Sequence, residues 1–345
     1  MDSQMIIPRA RNIKEFMMKA TIAGTGSYLP SRVVDNEDMG KLVDTTDEWI
    51  TSRTGINQRR YSEGESTWFM AEKAGIAALE DAGIDAKDLD LIIVSSVTPD
   101  YYTPSLSCIL QGRLAARKAA AFDINAACSG FVYGLDMADK YIASGKVSNI
   151  LLVCSETLTK ITDFTDRNTC VLFGDGAGAV VITATAEEGI LGTCIAADGR
   201  GASMLTSKAL QVENPYCLKA GPDILDSRQD RFIAMDGKEV YKFAVKAMPD
   251  AIDKVLASCG RDIAEVDHII PHQANARIIE SVIDKYGLDP AKVLITLDRY
   301  GNTSSASIPI GLDELNREGR IKKGDMVLTV GFGAGLTYGS ALIKW

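Results

Sequence analysis

The chain carries one stretch twice. Residues 78–94 read A-L-E-D-A-G-I-D-A-K-D-L-D-L-I-I-V and residues 255–271 read V-L-A-S-C-G-R-D-I-A-E-V-D-H-I-I-P. Gly83 falls opposite Gly260, Leu89 opposite Val266, Asp90 opposite Asp267 and Ile92-Ile93 opposite Ile269-Ile270, all 177 positions apart. Gly134-Leu135-Asp136 matches Gly311-Leu312-Asp313 at the same spacing, Ile150 to Cys154 match Met326 to Val330 at 176, and Gly24-Thr25 match Gly192-Thr193 at 168. Four matches in one order imply two copies of a single unit that meet near residue 190. The reading is therefore a tail (1–18), a first copy (19–190) and a second copy (191–345), and 345 residues are ample for two such units to share a core.

Within each copy helical and strand patterns alternate. Residues 129–143 put Phe131, Val132, Leu135, Ala138 and Ile142 on one helical face, with Asp136, Asp139 and Lys140 off it and Gly145 as a stop. The runs 91–97, 150–154, 179–183, 266–270 and 326–330 are short and continuously apolar, as strands covered on both faces are. Tandem βα units of this kind predict an α/β fold of five layers, α-β-α-β-α, with a functional site where the copies meet.

Charge and cysteine content narrow the function. A net charge of −9 and the absence of any cluster of five or more Lys/Arg argue against nucleic acid. No run reaches the ~18 apolar residues of a membrane span. Seven cysteines, an odd number without a CxxC pair, fit neither a disulfide framework nor a zinc site and point to a reducing cytoplasm. The first 17 residues lack a secretory apolar region and stand apart from the fold.

The only histidines are His268 and His272. His268 lies inside a strand pattern and reads as a satisfied or edge-exposed side chain. His272 follows Pro271 at a strand end, where α/β proteins place their chemistry. Among the thiols, Cys154 and Cys108 lie in apolar runs and read as core, and Cys217 has no distinguishing context. Cys128 follows a strand-like Phe122-Asp-Ile-Asn125 and opens the buried helix. It is either a small buried residue or, with its sulfur at the positive end of a helix, a standing thiolate nucleophile. Two glycine runs, Gly174–Gly178 and Gly331–Gly335, each precede a strand pattern, so neither is a dinucleotide fingerprint; they suit hairpin turns or close backbone approach, and the second offers N–H groups to an oxyanion. Asn302 sits three residues from the position paired with Cys128 and reads as a turn residue or a partner to that loop.

Together, Asn125-Ala-Ala-Cys128-Ser-Gly-Phe, Pro271-His272-Gln-Ala-Asn275, Gly301-Asn302-Thr-Ser and Gly331-Phe-Gly-Ala-Gly335 resemble the β-ketoacyl-acyl-carrier-protein synthase III family of the thiolase superfamily. Asp47-Glu-Trp49-Ile with Arg53-Thr-Gly-Ile56 extends the likeness, which runs from about residue 19 to 345. The resemblance implies a thiolase-like duplicated fold and a decarboxylative Claisen condensation of an acyl-CoA primer with malonyl-acyl-carrier protein. Acyl-CoA and malonyl-acyl-carrier protein would be substrates, with no further cofactor and no metal. By position, Cys128 would be the acylated nucleophile, His272 and Asn302 donors to the malonyl thioester carbonyl, and the backbone N–H groups of Cys128 and Ala334 the oxyanion site. Trp49, Arg53 and Arg167 would hold coenzyme A, Arg277 and Lys285 the acidic carrier protein, and Thr103 of a homodimer partner would border the acyl pocket. Ala334 stands where the family often has glycine, which is harmless if its φ is negative.

The same resemblance leaves other readings. An elongating condensing enzyme would need a second histidine in place of Asn302. A hydroxymethylglutaryl-coenzyme A synthase or a polyketide starter enzyme keeps the fold. A non-catalytic partner subunit would lack the nucleophile.

Overall fold

The computed structural model describes residues 18–210, 216 and 231–345. The expected tail, apart from Met18, and Cys217 lie outside the described residues.

Two sheets of matching order form the body. The first runs Lys19–Tyr28, Gly176–Thr185, Asn149–Glu156, Leu91–Ser95, Ala120–Ile124. The second runs Ile190–Ala197, Thr337–Lys344, Met326–Gly333, His268–Pro271, and a bridge from Ile269 to Val293 stands where the first sheet has its fifth strand. In each sheet, in the order just given, the first two pairings are antiparallel and those that follow are parallel. Of the apolar, doubly covered strands read from the sequence, those at 91–97, 150–154, 266–270 and 326–330 take part in the parallel pairings, whereas 179–183 lies in a strand paired antiparallel on both sides.

Helices Gly130–Ala143 and Ser307–Arg317 lie between the sheets. Phe131, Leu135, Ile308 and Leu312 share one core with Val180 and Ile182 of the first sheet and Val327 and Ala341 of the second. Helix Thr67–Ala82 covers the outer face of the first sheet, and helices Gly237–Cys259 and Ala276–Tyr286 that of the second. The result is the five-layered thiolase fold. The helices in which the matched stretches begin, Thr67–Ala82 and Gly237–Cys259, stop at Gly83 and Gly260, with φ of 64° and 62°, a left-handed cap that glycine adopts at little cost.

Three sequence expectations change. Ile150 pairs with Leu91 while Val327 pairs with His268, so this strand also repeats at 177 and not 176. A one-residue slip would have turned its side chains to the opposite face. Cys108 is exposed, because the short helix Leu106–Arg113 turns Ser107 and Leu110 inward instead. Gly174–Gly178 is no hairpin: the strand begins at Gly176, and a Cβ on Gly178 would meet Ile310 N at 2.6 Å, so glycine here admits the inner helix of the other copy.

Candidate active site

Each copy makes the same bend ahead of its inner helix, after strand Ala120–Ile124 in the first and after the short helix Leu297–Tyr300 in the second. Asn125 Oδ1 accepts the Ala127 N–H at 3.2 Å, and Asn302, 177 residues later, accepts the Ser304 N–H at 2.8 Å. The residues so held, Ala127 and Ser304, have φ of 47° and 51°, a region that costs a non-glycine residue about 1–3 kcal/mol and clusters at functional sites. A three-residue 3-10 turn begins at each, and the inner helix follows it. In the first copy that turn carries Cys128.

Asn302 is fastened by the opposite copy. Its N–H donates to Leu172 O (2.9 Å) and its carbonyl accepts the Gly174 N–H (3.0 Å). With Oδ1 engaged by Ser304, the Nδ2 donor is the end left for a ligand.

His272 extends from strand His268–Pro271, its N–H donating to Val330 O at 2.8 Å. Its ring has Ser307 Oγ 2.7 Å from Nδ1 and the edge of Phe332 at 5.5 Å between centroids. The next residue, Gln273, is buried with every polar group used: Nε2 donates to Pro271 O and Leu294 O, and Oε1 accepts the N–H groups of Thr296 and Leu297. Asn275 caps helix Ala276–Tyr286 and donates to Arg53 O, which ties the His272 loop to helix Asp47–Thr54.

These groups converge. Cys128, His272, Asn302, Phe332 and Ala334 line one cavity of about 790 Å³, which reaches Trp49 and the exposed Arg53 at its open end. A Cβ on Gly331 would lie 3.4 Å from Cys128 O and 3.7 Å from His272 Cβ, so nucleophile loop and imidazole flank one point. One on Gly333 would lie 2.6 Å from Cys128 N, a close approach that only glycine permits. Ala334 keeps φ out of the left-handed region, so its methyl is accommodated, and Gly335 takes the positive φ of 113°.

Burial sets the charge state of both reactive groups. It pushes the Cys128 thiol up to about 12, with the Glu156 carboxylate adding to the rise and a hydrogen bond from Ser304 opposing it. The standing thiolate expected from the sequence is therefore not the resting state: the sulfur sits in a short 3-10 turn ahead of the helix, and desolvation outweighs the helix end. Burial alone takes the His272 imidazole down to about 3, so the ring is neutral at pH 7.

A buried neutral histidine destabilises the fold in acid, because below pH ~6.5 the unfolded chain binds a proton that the folded chain refuses. This stability is complete above the unfolded pKa and declines as pH falls towards the folded value of about 3. Between pH 6.5 and 5 the loss is about 2 kcal/mol. Chemical denaturation of His272→Gln should show a pH 7 to pH 5 loss smaller than that of the wild type by this amount. Equal losses would mean that His272 is not held neutral.

The remaining candidates divide. The Arg53 and Arg167 guanidinium groups both lie against the Trp49 ring, 4.5 and 4.9 Å from its centroid. Arg277 Nη2 donates to Ser52 O beside that open end, whereas Lys285 is paired with Asp253 at 3.1 Å, two turns farther along the helix. Thr103 is exposed next to the exposed Tyr101 and Tyr102 and does not line its own chain's cavity. His268 bonds Asp325 at 3.2 Å, the satisfied side chain expected.

Sequence reading gave no role to Ser304, Ser307 or Phe332, all inside or beside quoted strings. The 177 spacing held a signal for Ser307 alone: it pairs Ser307 with Gly130 where it pairs His272 with Ser95.

Residues 122–199 match the 3-oxoacyl-[acyl-carrier-protein (ACP)] synthase III family, and residues 256–345 match its C-terminal part. A β-ketoacyl-[acyl-carrier-protein] synthase III of Clostridium acetobutylicum is 48% identical over 329 residues, 95% of this chain and 99% of that protein. The chain belongs to the 3-oxoacyl-[acyl-carrier-protein] synthase III family. It is a condensing acyltransferase that initiates fatty acid synthesis. Its fold superposes on the crystal structure of 3-oxoacyl-[acyl-carrier-protein] synthase III from Aquifex aeolicus with a TM-score of 0.87 at 43% identity, covering 94% of this chain and all of the other. The priming β-ketosynthase of the R1128 polyketide pathway is similar to it at 37% identity and a TM-score of 0.87, covering 94% and 96%. Among the described residues, no helix is long and apolar enough to cross a membrane.

Proposed function

We propose that the cavity joins an acyl group from acyl-CoA to the two-carbon unit of malonyl-acyl-carrier protein, with one copy supplying the nucleophile and the other the decarboxylation donors. Cys128 Sγ attacks the acyl-CoA carbonyl, and the N–H groups of Cys128 and Ala334 stabilise the oxyanion. The tetrahedral adduct expels the coenzyme A sulfur, which leaves with the thiol proton. His272 and the Asn302 Nδ2 group then donate to the malonyl thioester carbonyl. Loss of CO₂ leaves an enolate on that oxygen, and fixed donors in a water-poor cavity stabilise charge as it forms. The enolate carbon attacks the Cys128 thioester, the C–S bond breaks, and 3-oxoacyl-acyl-carrier protein departs as Cys128 regains a proton.

Trp49 and Arg167 offer stacking faces to the adenine of coenzyme A, and Arg53 a charge to its phosphates. Arg277, beside the open end, is the better placed of the two cations for an acidic carrier protein; Lys285 would first have to leave Asp253. A homodimer would bring the partner's Thr103 to the acyl pocket, and the cytoplasm is the expected compartment. Neither substrate is a resident cofactor.

The observation that carries this reading is the convergence of Cys128 from one copy with His272 and Asn302 from the other on one cavity. Intact-mass measurement after incubation with acyl-CoA thioesters of rising chain length tests it. The expected result is a single acyl adduct, mapped by peptide digestion to Cys128 and limited in length by the cavity. An adduct on any other residue would overturn the assignment.

A further inference from the structure

The donor role of His272 requires one particular tautomer. A neutral imidazole carries one ring proton, and only the Nε2–H form presents a donor to the cavity once Nδ1 is turned away. What faces Nδ1 is the Ser307 hydroxyl, 2.7 Å away and buried at the start of the inner helix. Ser307 Oγ also lies 3.4 Å from the Gln273 N–H and accepts from it. Among the described residues, the hydroxyl has no acceptor besides His272 Nδ1. An oxygen that accepts an N–H and has one neighbouring acceptor gives its proton to that acceptor. The reverse arrangement, Nδ1–H donating to Oγ, would strand the hydroxyl proton in the interior, which is unfavourable.

The duplication points the same way. At 177 residues' distance, the His272–Ser307 pair corresponds to Ser95 and Gly130 of the first copy. There a Cβ on Gly130 would fall 1.8 Å from Ser95 Oγ, so the position is emptied of side chain. In the second copy the same place on the inner helix holds a hydroxyl, directed at the one ring nitrogen that the cavity does not use.

We propose that Ser307 is a positioning residue that locks His272 in the Nε2–H tautomer and so makes it a hydrogen-bond donor during decarboxylation. This rests on the reading of His272 as that donor. Gln273, whose side chain is fixed on both sides, holds the backbone N–H that orients the Ser307 oxygen, so the lock runs from the loop to the helix and back to the ring.

Because the chain has only two histidines, the test is spectroscopic as well as kinetic. Protein labelled with ¹⁵N-histidine gives two imidazole patterns in long-range ¹H–¹⁵N correlation spectra, and His268→Gln assigns them. The wild type is expected to show His272 protonated at Nε2. Ser307→Ala should populate the Nδ1–H form and slow malonyl-acyl-carrier-protein decarboxylation about 10–100-fold, below the ~10⁴ lost when a protease triad holds the wrong tautomer. Its KM and the rate of acyl transfer from acyl-CoA to Cys128 should be unchanged, and Ser307→Thr, which keeps the hydroxyl, should restore both spectrum and rate.

The Nδ1–H form in the wild type would overturn the proposal, and that measurement needs no variant. So would a Ser307→Ala protein that retains the Nε2–H form, whether its rate is normal or reduced, since a reduced rate would then be a packing effect. The underlying reading fails separately: full decarboxylation by His272→Ala would remove the donor role whatever tautomer the ring adopts.

Discussion

Cys128→Ala is expected to lose the acyl-enzyme entirely and condensation by up to about 10⁶-fold, the scale on which a covalent nucleophile's removal disables a hydrolase. Malonyl decarboxylation should survive, because the groups proposed for it, His272 and Asn302, are held by contacts that do not involve the sulfur: Val330 O and Ser307 for the first, Leu172, Gly174 and Ser304 for the second. The variant should also fold. The substitution removes a single sulfur that borders the cavity, the bend before it is made by Asn125 and Ala127, and the helix after it is anchored by Phe131 and Leu135. Two assays decide: acyl mass on the protein after acyl-CoA, and CO₂ release from malonyl-acyl-carrier protein. Loss of both would mean that the sulfur takes part in decarboxylation, and loss of neither would dismiss it as the nucleophile.

That separation depends on a property of the duplicated chain, namely that each copy builds the same bend and uses it differently. Asn125 and Asn302 both hold an N–H two residues on, yet Asn125 precedes the sulfur and Asn302 lines the cavity with an amide nitrogen that Ser304 does not engage. The five-layered order was legible because its determinants are periodic. Apolar runs and the 129–143 helical face depend on burial alone, and burial is written residue by residue. The strand at 150 was misplaced by one against its copy, since an aliphatic run matches itself nearly as well at either register, and only pairing with Leu91 and His268 fixes it. Cys128, His272 and Asn302 stood out as rare residues at strand ends or in the bend paired with one. Ser307 did not, because its significance is a 2.7 Å contact across 35 positions. Nor could the ionisation of Cys128 be read from its place before a helix. The helix end lowers a thiol pKa, burial raises it, and only the structure shows that the second effect is the larger here.

His272→Ala and Asn302→Ala should give the mirror image of Cys128→Ala: acylation of Cys128 near the wild-type rate, and decarboxylation slower by about 10²–10³-fold for each. The neutral state of His272 matters for this magnitude. An imidazole that stays uncharged down to about pH 3 donates a hydrogen bond without delivering a proton, so the enolate it stabilises remains basic enough to attack the thioester. Asn302 works by the same principle and cannot ionise at all. If both act on one oxygen, the double variant should lose less than the product of the single losses, because residues that act as a unit are non-additive. Asn302→Asp sharpens the test. The aspartate keeps an oxygen for the Ser304 N–H and therefore the bend, but it replaces the amide donor by a negative group facing the developing negative charge. Its decarboxylation rate should fall at least as far as that of Asn302→Ala while its thermal stability stays closer to the wild type. A decarboxylation rate restored by aspartate would show that the bend, and not the donated hydrogen bond, is what the reaction requires of residue 302.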